Sequence, residues 1–173
     1  VSRDLVETID LAPTFLNAFG GDPLPHILEG RDLTPLLHGE PVQWRDYAIS
    51  EFDYATREAR QIIGNHERDA RLIMICDKRW KYVHAEGFRP MLFDLETDPQ
   101  ELDDLGESPG HADVRARLEG AIFAWSRQHH TRITMPNERV ERMTGGEPPG
   151  ILIGVWDEAQ FQDVFGKPFD QRP

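Results

Sequence analysis

"LFDLETDPQELDDLG", residues 92–106, is the stretch whose reading decides the fold. Six carboxylates stand among four leucines, with Pro99 in the middle. A calcium loop of the EF-hand kind needs oxygen ligands at fixed offsets, a Gly at the sixth position and a Glu at the twelfth. Counted from Asp94, those positions hold Pro99 and Leu105. A solvated charge run would leave the leucines unexplained. Leu92, Leu95, Leu102 and Leu105 are placed to face a core, and Asp98–Pro99 has turn chemistry: Asp bonds its own downstream backbone and Pro fixes φ. The stretch therefore reads as a strand, a capped turn and an apolar anchor.

Working outward, "RLIMIC" (71–76) and "RWKYVH" (79–84) read as a hairpin about Asp77–Lys78, because β-branched and aromatic residues crowd both arms. "PMLFDL" (90–95) adds a third strand and Tyr47–Phe52 a fourth, all antiparallel given the short connections. Val114, Leu118, Ala121, Ile122 and Trp125 recur at helical spacing and predict a helix over about 111–130. That helix should cover one side of the sheet, an α+β layer.

Upstream, Val1–Ile9 reads as a short strand or extended lead-in. Asp10 is placed to cap a helix with Pro13 in its first turn, Ala12, Phe15, Leu16 and Phe19 on one face, and Gly20–Gly21 as its stop. Residues 21–41 form a Pro/Gly-rich loop with at most one helical turn at Thr34–His38, and Thr56–Ile63 fits a short helix. Beyond Thr131 the periodicity fades. Ile151–Trp156 is an apolar run and 157–165 fits a last turn or two of helix.

Composition limits function. Of the 173 residues 39% are apolar, enough for a core. The net charge of −12 argues against nucleic acid and against an anionic membrane surface, since both need clustered Lys and Arg. No apolar run is long enough for a membrane-spanning helix. One cysteine, Cys76, excludes an internal disulfide and is consistent with a reducing, cytoplasmic location.

No catalytic, cofactor-binding or metal-ligating residue is assigned. His129–His130 are adjacent on a helix and point apart. His111 and Asp113 read as polar residues at a helix start. Cys76 reads as a small buried hydrophobe, with no basic partner identifiable from sequence. Arg45–Asp46 and Glu51–Asp53 read as polar residues flanking a strand. Trp44, Trp80, Trp125 and Trp156 read as core or interface anchors. Gly145, Gly146 and Gly150 are turn formers, with no phosphate-loop Lys after them.

"RWKYVH" followed by "MLFDLETDPQELDDL" resembles the C-terminal region of sulfatase-type hydrolases of the alkaline phosphatase superfamily. "IDLAPTFLNAFG" (9–20) and "GRDLTPLLHG" (30–39) resemble two further family segments, in the same order and spacing. "ISEFDYATREAR", "GFRPMLFDL" and "GILIGVWDEA" are similar to the branch of phosphonate monoester hydrolases and related arylsulfatases.

The resemblance implies that residues 1–20 are the tail end of a catalytic α/β domain. It implies that 21–132 are a C-terminal α+β subdomain, with four strands under one long helix. Residues 133–173 are then an irregular extension expected to mediate oligomerisation. It also implies a formylglycine nucleophile and a divalent metal (Mn, Ca or Mg) in the full enzyme, and the enzyme's own N-terminal catalytic domain as a partner. This chain has no Cys/Ser-x-Pro-x-Arg and no Asp-His-Gly or Asp-Asn-Gly, so it is expected to hold no catalytic centre. The other reading is a free-standing binding or assembly module on the same fold.

Overall fold

A computed structural model describes residues 3–128, 135–143, 157–166 and 168. Four strands, β1 (Ala48–Asp53), β2 (Arg71–Cys76), β3 (Trp80–Ala85) and β4 (Met91–Asp94), lie in sequence order as one antiparallel sheet. Ile75 is registered with Tyr82, and Tyr82 with Leu92, so the three side chains form a row on one face. All three are buried. Helix α4 (Ala112–Gln128) sets Leu118 and Ile122 on that row, and Val114 and Ala121 pack at its margin. This is the α+β layer expected from the two periodicities. Burying Leu118 and its neighbours stabilises this layer, at about 25 cal/mol per Å² of apolar area.

The β2–β3 turn differs from expectation. Asp77 Oδ1 accepts from the amides of Arg79 (2.8 Å) and Trp80 (2.6 Å), so the turn spans three residues and β3 starts at Trp80. The side-chain bond competes with the ladder for Arg79, which a strand pattern alone does not reveal.

The opening stretch is a corner. The carbonyl of Asp94 accepts from Thr97 (3.2 Å) and Asp98 (2.7 Å), and Asp98 Oδ2 accepts from the Asp103 amide (2.9 Å). Asp104 Oδ1 accepts from Leu92 (3.1 Å) and Gly106 (2.9 Å), and the Leu105 amide donates to Leu92 O (2.7 Å). Four carboxylates also meet cations: Asp94 and Glu96 with Arg79, Glu101 with Lys81, and Asp104 with Arg89. Leu92 is buried and Leu105 packs on the core, but Leu102 is 77% exposed, against expectation. Glu101 bends the chain with φ +57°, and Leu102 follows that bend outward. Gly106 is required because a Cβ there would stand 2.0 Å from Pro90 O.

Three short helices precede and interrupt the sheet: α1 (Leu11–Ala18), α2 (Thr34–His38) and α3 (Glu58–Ile63). Residues 3–7 form no strand; a 3₁₀ turn at Thr8–Asp10 leads into α1 instead. Asp10 does not cap α1 with its side chain. The apolar face of α1 is also not in the core. Phe15 and Phe19 are exposed, and the helix buries Pro13 and Thr14. Gly20, at φ +73°, stops it as read.

The chain divides into two units, Val1–Thr134 and Met135–Pro173. In the second, α5 (Asn137–Met143) and α6 (Glu158–Phe165) are helical. The stretch holding α5 was expected to be irregular. Asp157 caps α6 by accepting from the Gln160 amide (3.0 Å), and Phe161 is buried. The apolar run Ile151–Trp156 lies outside the described residues.

Candidate functional site

The densest polar arrangement lies where the α1 lead-in meets β1. Asp10 is fully buried. Its carboxylate accepts from the amides of Glu7 and Arg31, each at 2.8 Å, and from both terminal nitrogens of Arg45. Arg45 also pairs with Glu7 at 2.9 Å, and Glu7 Oε1 accepts from the Ile49 amide of β1 at 2.6 Å. Burial pushes the Asp10 carboxyl up, but the bonds from Arg45, Arg31 and Glu7 outweigh it and hold the group below its ordinary range. Thr14 extends the node: its hydroxyl donates to Asp10 O (2.6 Å) and accepts from the Leu33 amide (2.9 Å). Asp32 joins it by accepting from Asn17 Nδ2 (2.6 Å) and from Thr34.

Above Arg45 opens a cleft of about 620 Å³ between the 31–47 loop and α4. Trp44 stands in its wall, with Nε1 donating to Leu5 O (2.6 Å). The guanidinium groups of Arg31 and Arg45 both lie over its ring, 5.7 Å and 5.4 Å from the centroid. Tyr47 and Trp125 supply further aromatic surface, and Gln43 and Asp46 polar groups. A smaller recess of about 280 Å³ adjoins it through Asp46 and Tyr47 and is lined by Lys78, Arg79 and Arg117. Its cations are paired: Arg117 with Asp77 (2.8 Å), Arg79 with Asp94 (2.8 Å) and Lys78 with Asp4 (3.8 Å). Burial pushes the Asp77 carboxyl up, but the Trp80 amide and Arg117 together hold it below its usual value.

The residues singled out from sequence are scattered. Arg45, read as a strand-flanking residue, is the centre of the buried node, and Asp10, read as a cap, is its partner. Asp46 lines the cleft, while Glu51 and Asp53 stand exposed on β1. Cys76 is half-buried; burial, with Asp77 nearby, raises its pKa and keeps the thiol protonated. His111 bonds Ser108 Oγ (2.9 Å) and tilts against Trp80 at 5.5 Å. Trp80 packs on the core, and Trp44 and Trp125 line the cleft. His129, His130, Gly145, Gly146, Gly150 and Trp156 lie outside the described residues. Among the described residues there is no group of three or more His, Cys, Asp or Glu arranged to hold a metal ion. No described helix is long and apolar enough to cross a membrane.

A four-stranded antiparallel sheet with helices against it, α+β, is the architecture of the C-terminal region of sulfatase-type hydrolases. The chain belongs to the family described as N-sulphoglucosamine sulphohydrolase, C-terminal, which matches residues 1–128. It is 32% identical over 136 residues to the multifunctional alkaline phosphatase superfamily protein PehA of Trinickia caryophylli, covering 76% of this chain and 26% of PehA. Among solved structures, the phosphonate monoester hydrolase of Agrobacterium radiobacter is similar at 36% identity and a TM-score of 0.61, over 69% of this chain and 24% of that one. The phosphonate monoester hydrolase SpPMH of Silicibacter pomeroyi is similar at 31% identity and a TM-score of 0.67, over 73% and 26%. The chain thus spans about a quarter of the length of these relatives.

Proposed function

We propose that this chain is the C-terminal portion of a formylglycine- and metal-dependent hydrolase of sulfate, phosphonate or phosphate esters, and that it does not itself hold the catalytic centre. The observation that carries this reading is where the apolar surface lies. Among the described residues before Tyr54, only Asp10, Pro13 and Thr14 are buried. Ten of the seventeen exposed large apolar side chains among the described residues fall between Val6 and Val42, with Phe19 89% and Leu37 75% exposed. This segment is held by the polar node and turns its apolar side chains outward. A surface of that kind is rarely left uncovered, and on this reading it seats the N-terminal catalytic domain of the same protein.

The donor set fits neither implied group. The sequence has no Cys/Ser-x-Pro-x-Arg, the Cys76 thiol is held protonated, and no cluster among the described residues offers metal ligands. On this reading the chemistry falls outside this chain, whose share is to brace the catalytic body. The 133–173 extension is proposed to join subunits, and the single free thiol agrees with a cytoplasmic setting.

The test is an assay of the purified 173-residue chain with an aryl sulfate and a phosphonate monoester, with and without manganese or calcium. No turnover above a denatured control is expected; turnover abolished by Cys76→Ala refutes the placement. An encoding reading frame with no Cys/Ser-x-Pro-x-Arg upstream refutes the parentage. Deleting 133–173 should lower the number of subunits in solution, and an unchanged monomer rejects the role given to the extension.

A further inference from the structure

Helix α4 has a second face, turned away from the sheet. Leu118 and Ile122 pack on the core, and Gly120 lies on the opposite side of the helix. Asp113, Ala116, Arg117, Phe123, Ala124 and Arg127 all fall within about 60° of Gly120 around the axis.

Two features of this face have no use inside the chain. A glycine within a helix weakens it relative to alanine. Nothing in the fold requires one here: Gly120 is exposed, and a Cβ on it would meet no atom within 4 Å. Phe123 is 62% exposed, with the Arg127 guanidinium 4.8 Å over its ring. A bare backbone position beside an open aromatic ring suits the close approach of another helix, whose distance is set by the side chains at the crossing.

The charges identify that helix. Asp113 and Arg127 stand seven residues to either side of Gly120. Both are exposed, and neither has an ion-pair partner among the described residues. A two-fold axis through Gly120 sets Asp113 of one copy against Arg127 of the other, at both ends of the contact. It sets Ala116 against Ala124 next to the crossing, and Arg117 against Phe123. Arg117 is held by Asp77 at 2.8 Å, so it offers the facing ring a fixed cation. The face is thus complementary to itself in charge and in bulk.

We propose that α4 is an interface between two copies of this chain, packed antiparallel about Gly120 with an Asp113–Arg127 pair closing each end. It uses neither the 6–42 surface nor the 133–173 extension, and so goes beyond the reading above. One helix pair is a small interface, and a dissociation constant on the order of 10–100 µM is expected.

Sedimentation velocity of the 173-residue chain from about 5 to 500 µM should show a reversible twofold rise in mass. Asp113→Arg and Arg127→Asp each set like charges against one another at both ends, and each should weaken this step at least roughly tenfold. An equimolar mixture of the two variants restores opposite charges at both ends and should regain the association, as should the chain carrying both changes. Gly120→Gln should weaken it by a similar factor, while the melting midpoint of the dilute chain holds or rises. A mass independent of concentration overturns the proposal. So do charge variants or Gly120→Gln that associate as the parent does, and a mixture that fails to regain what each variant lost.

Discussion

Replacing Arg45 by Met removes the cation from a fully buried carboxylate while keeping most of the apolar stem. Asp10 then keeps two of its partners, the amides of Glu7 and Arg31 at 2.8 Å, and loses both guanidinium bonds; Glu7 loses its 2.9 Å pair. Breaking a buried pair by removing one side costs about 3–5 kcal/mol. The two surviving amides place this case at the lower end, about 3 kcal/mol. The sheet and α4 have their own core, and the segment before Tyr54 adds little to it. The loss should therefore appear as local opening.

Amide hydrogen exchange is the assay. The Arg31, Leu33 and Ile49 amides, bonded to Asp10, Thr14 and Glu7, should exchange about two orders of magnitude faster. Amides between β2 and β3 should keep their protection. Adding Asp10→Asn removes the stranded charge and should restore roughly half of the loss. Unchanged exchange at those three amides, or equal acceleration throughout the sheet, would refute the reasoning. Acid should act on the same node. The Asp10 carboxyl lies below its ordinary 3.8 in the folded chain, so its contribution is complete above that value and is lost as the pH falls through the folded one. The three amides should thus hold their protection at neutral pH and lose it below about pH 4.

Three further outcomes follow from the packing. Gly106→Ala should destabilise the sheet by about 2–3 kcal/mol in urea unfolding, because the new methyl meets the Pro90 carbonyl. Leu118→Ala should cost about 3 kcal/mol by the same measurement, since that side chain is fully buried between helix and sheet. Calcium titration should show no micromolar binding by the 94–104 carboxylates; binding with Asp94, Asp98 or Asp104 as ligands would undo the corner reading.

The sheet and α4 were legible because two periodicities announce them: alternating β-branched and aromatic residues over 71–94, and Leu118–Ile122–Trp125 at helical steps. The node was not. Asp10 and Arg45 are 35 residues apart, and an Asp before a Pro-containing helix has a sufficient local explanation as a cap. The exposure of that face of α1 was not legible for a related reason: amphipathicity says which side seeks cover, not whether this chain supplies it. Helix α5 was missed because its apolar residues, Val140 and Met143, are too few to show a period; the signal was Pro136 just before it. The cleft depends on Ala121 and Ala124 being small at one point of a helix, which matters only once the opposing loop is placed.

The corner at 92–106 has a consequence for how the molecule behaves in a crowded solution. β4 is the last strand of the sheet, and a bare last strand is a template on which a stray chain can polymerise. Here the outward amide and carbonyl of Leu92 are taken by Asp104 and Leu105, and the carbonyl of Asp94 by Thr97 and Asp98. At the far side, Glu7 occupies the Ile49 amide and the next outward positions carry the charges of Glu51 and Asp53. Bonds blunt the β4 margin and charges blunt the β1 margin, so the acidic stretch that resembles a cation trap works as a hem against growth of the sheet into aggregates.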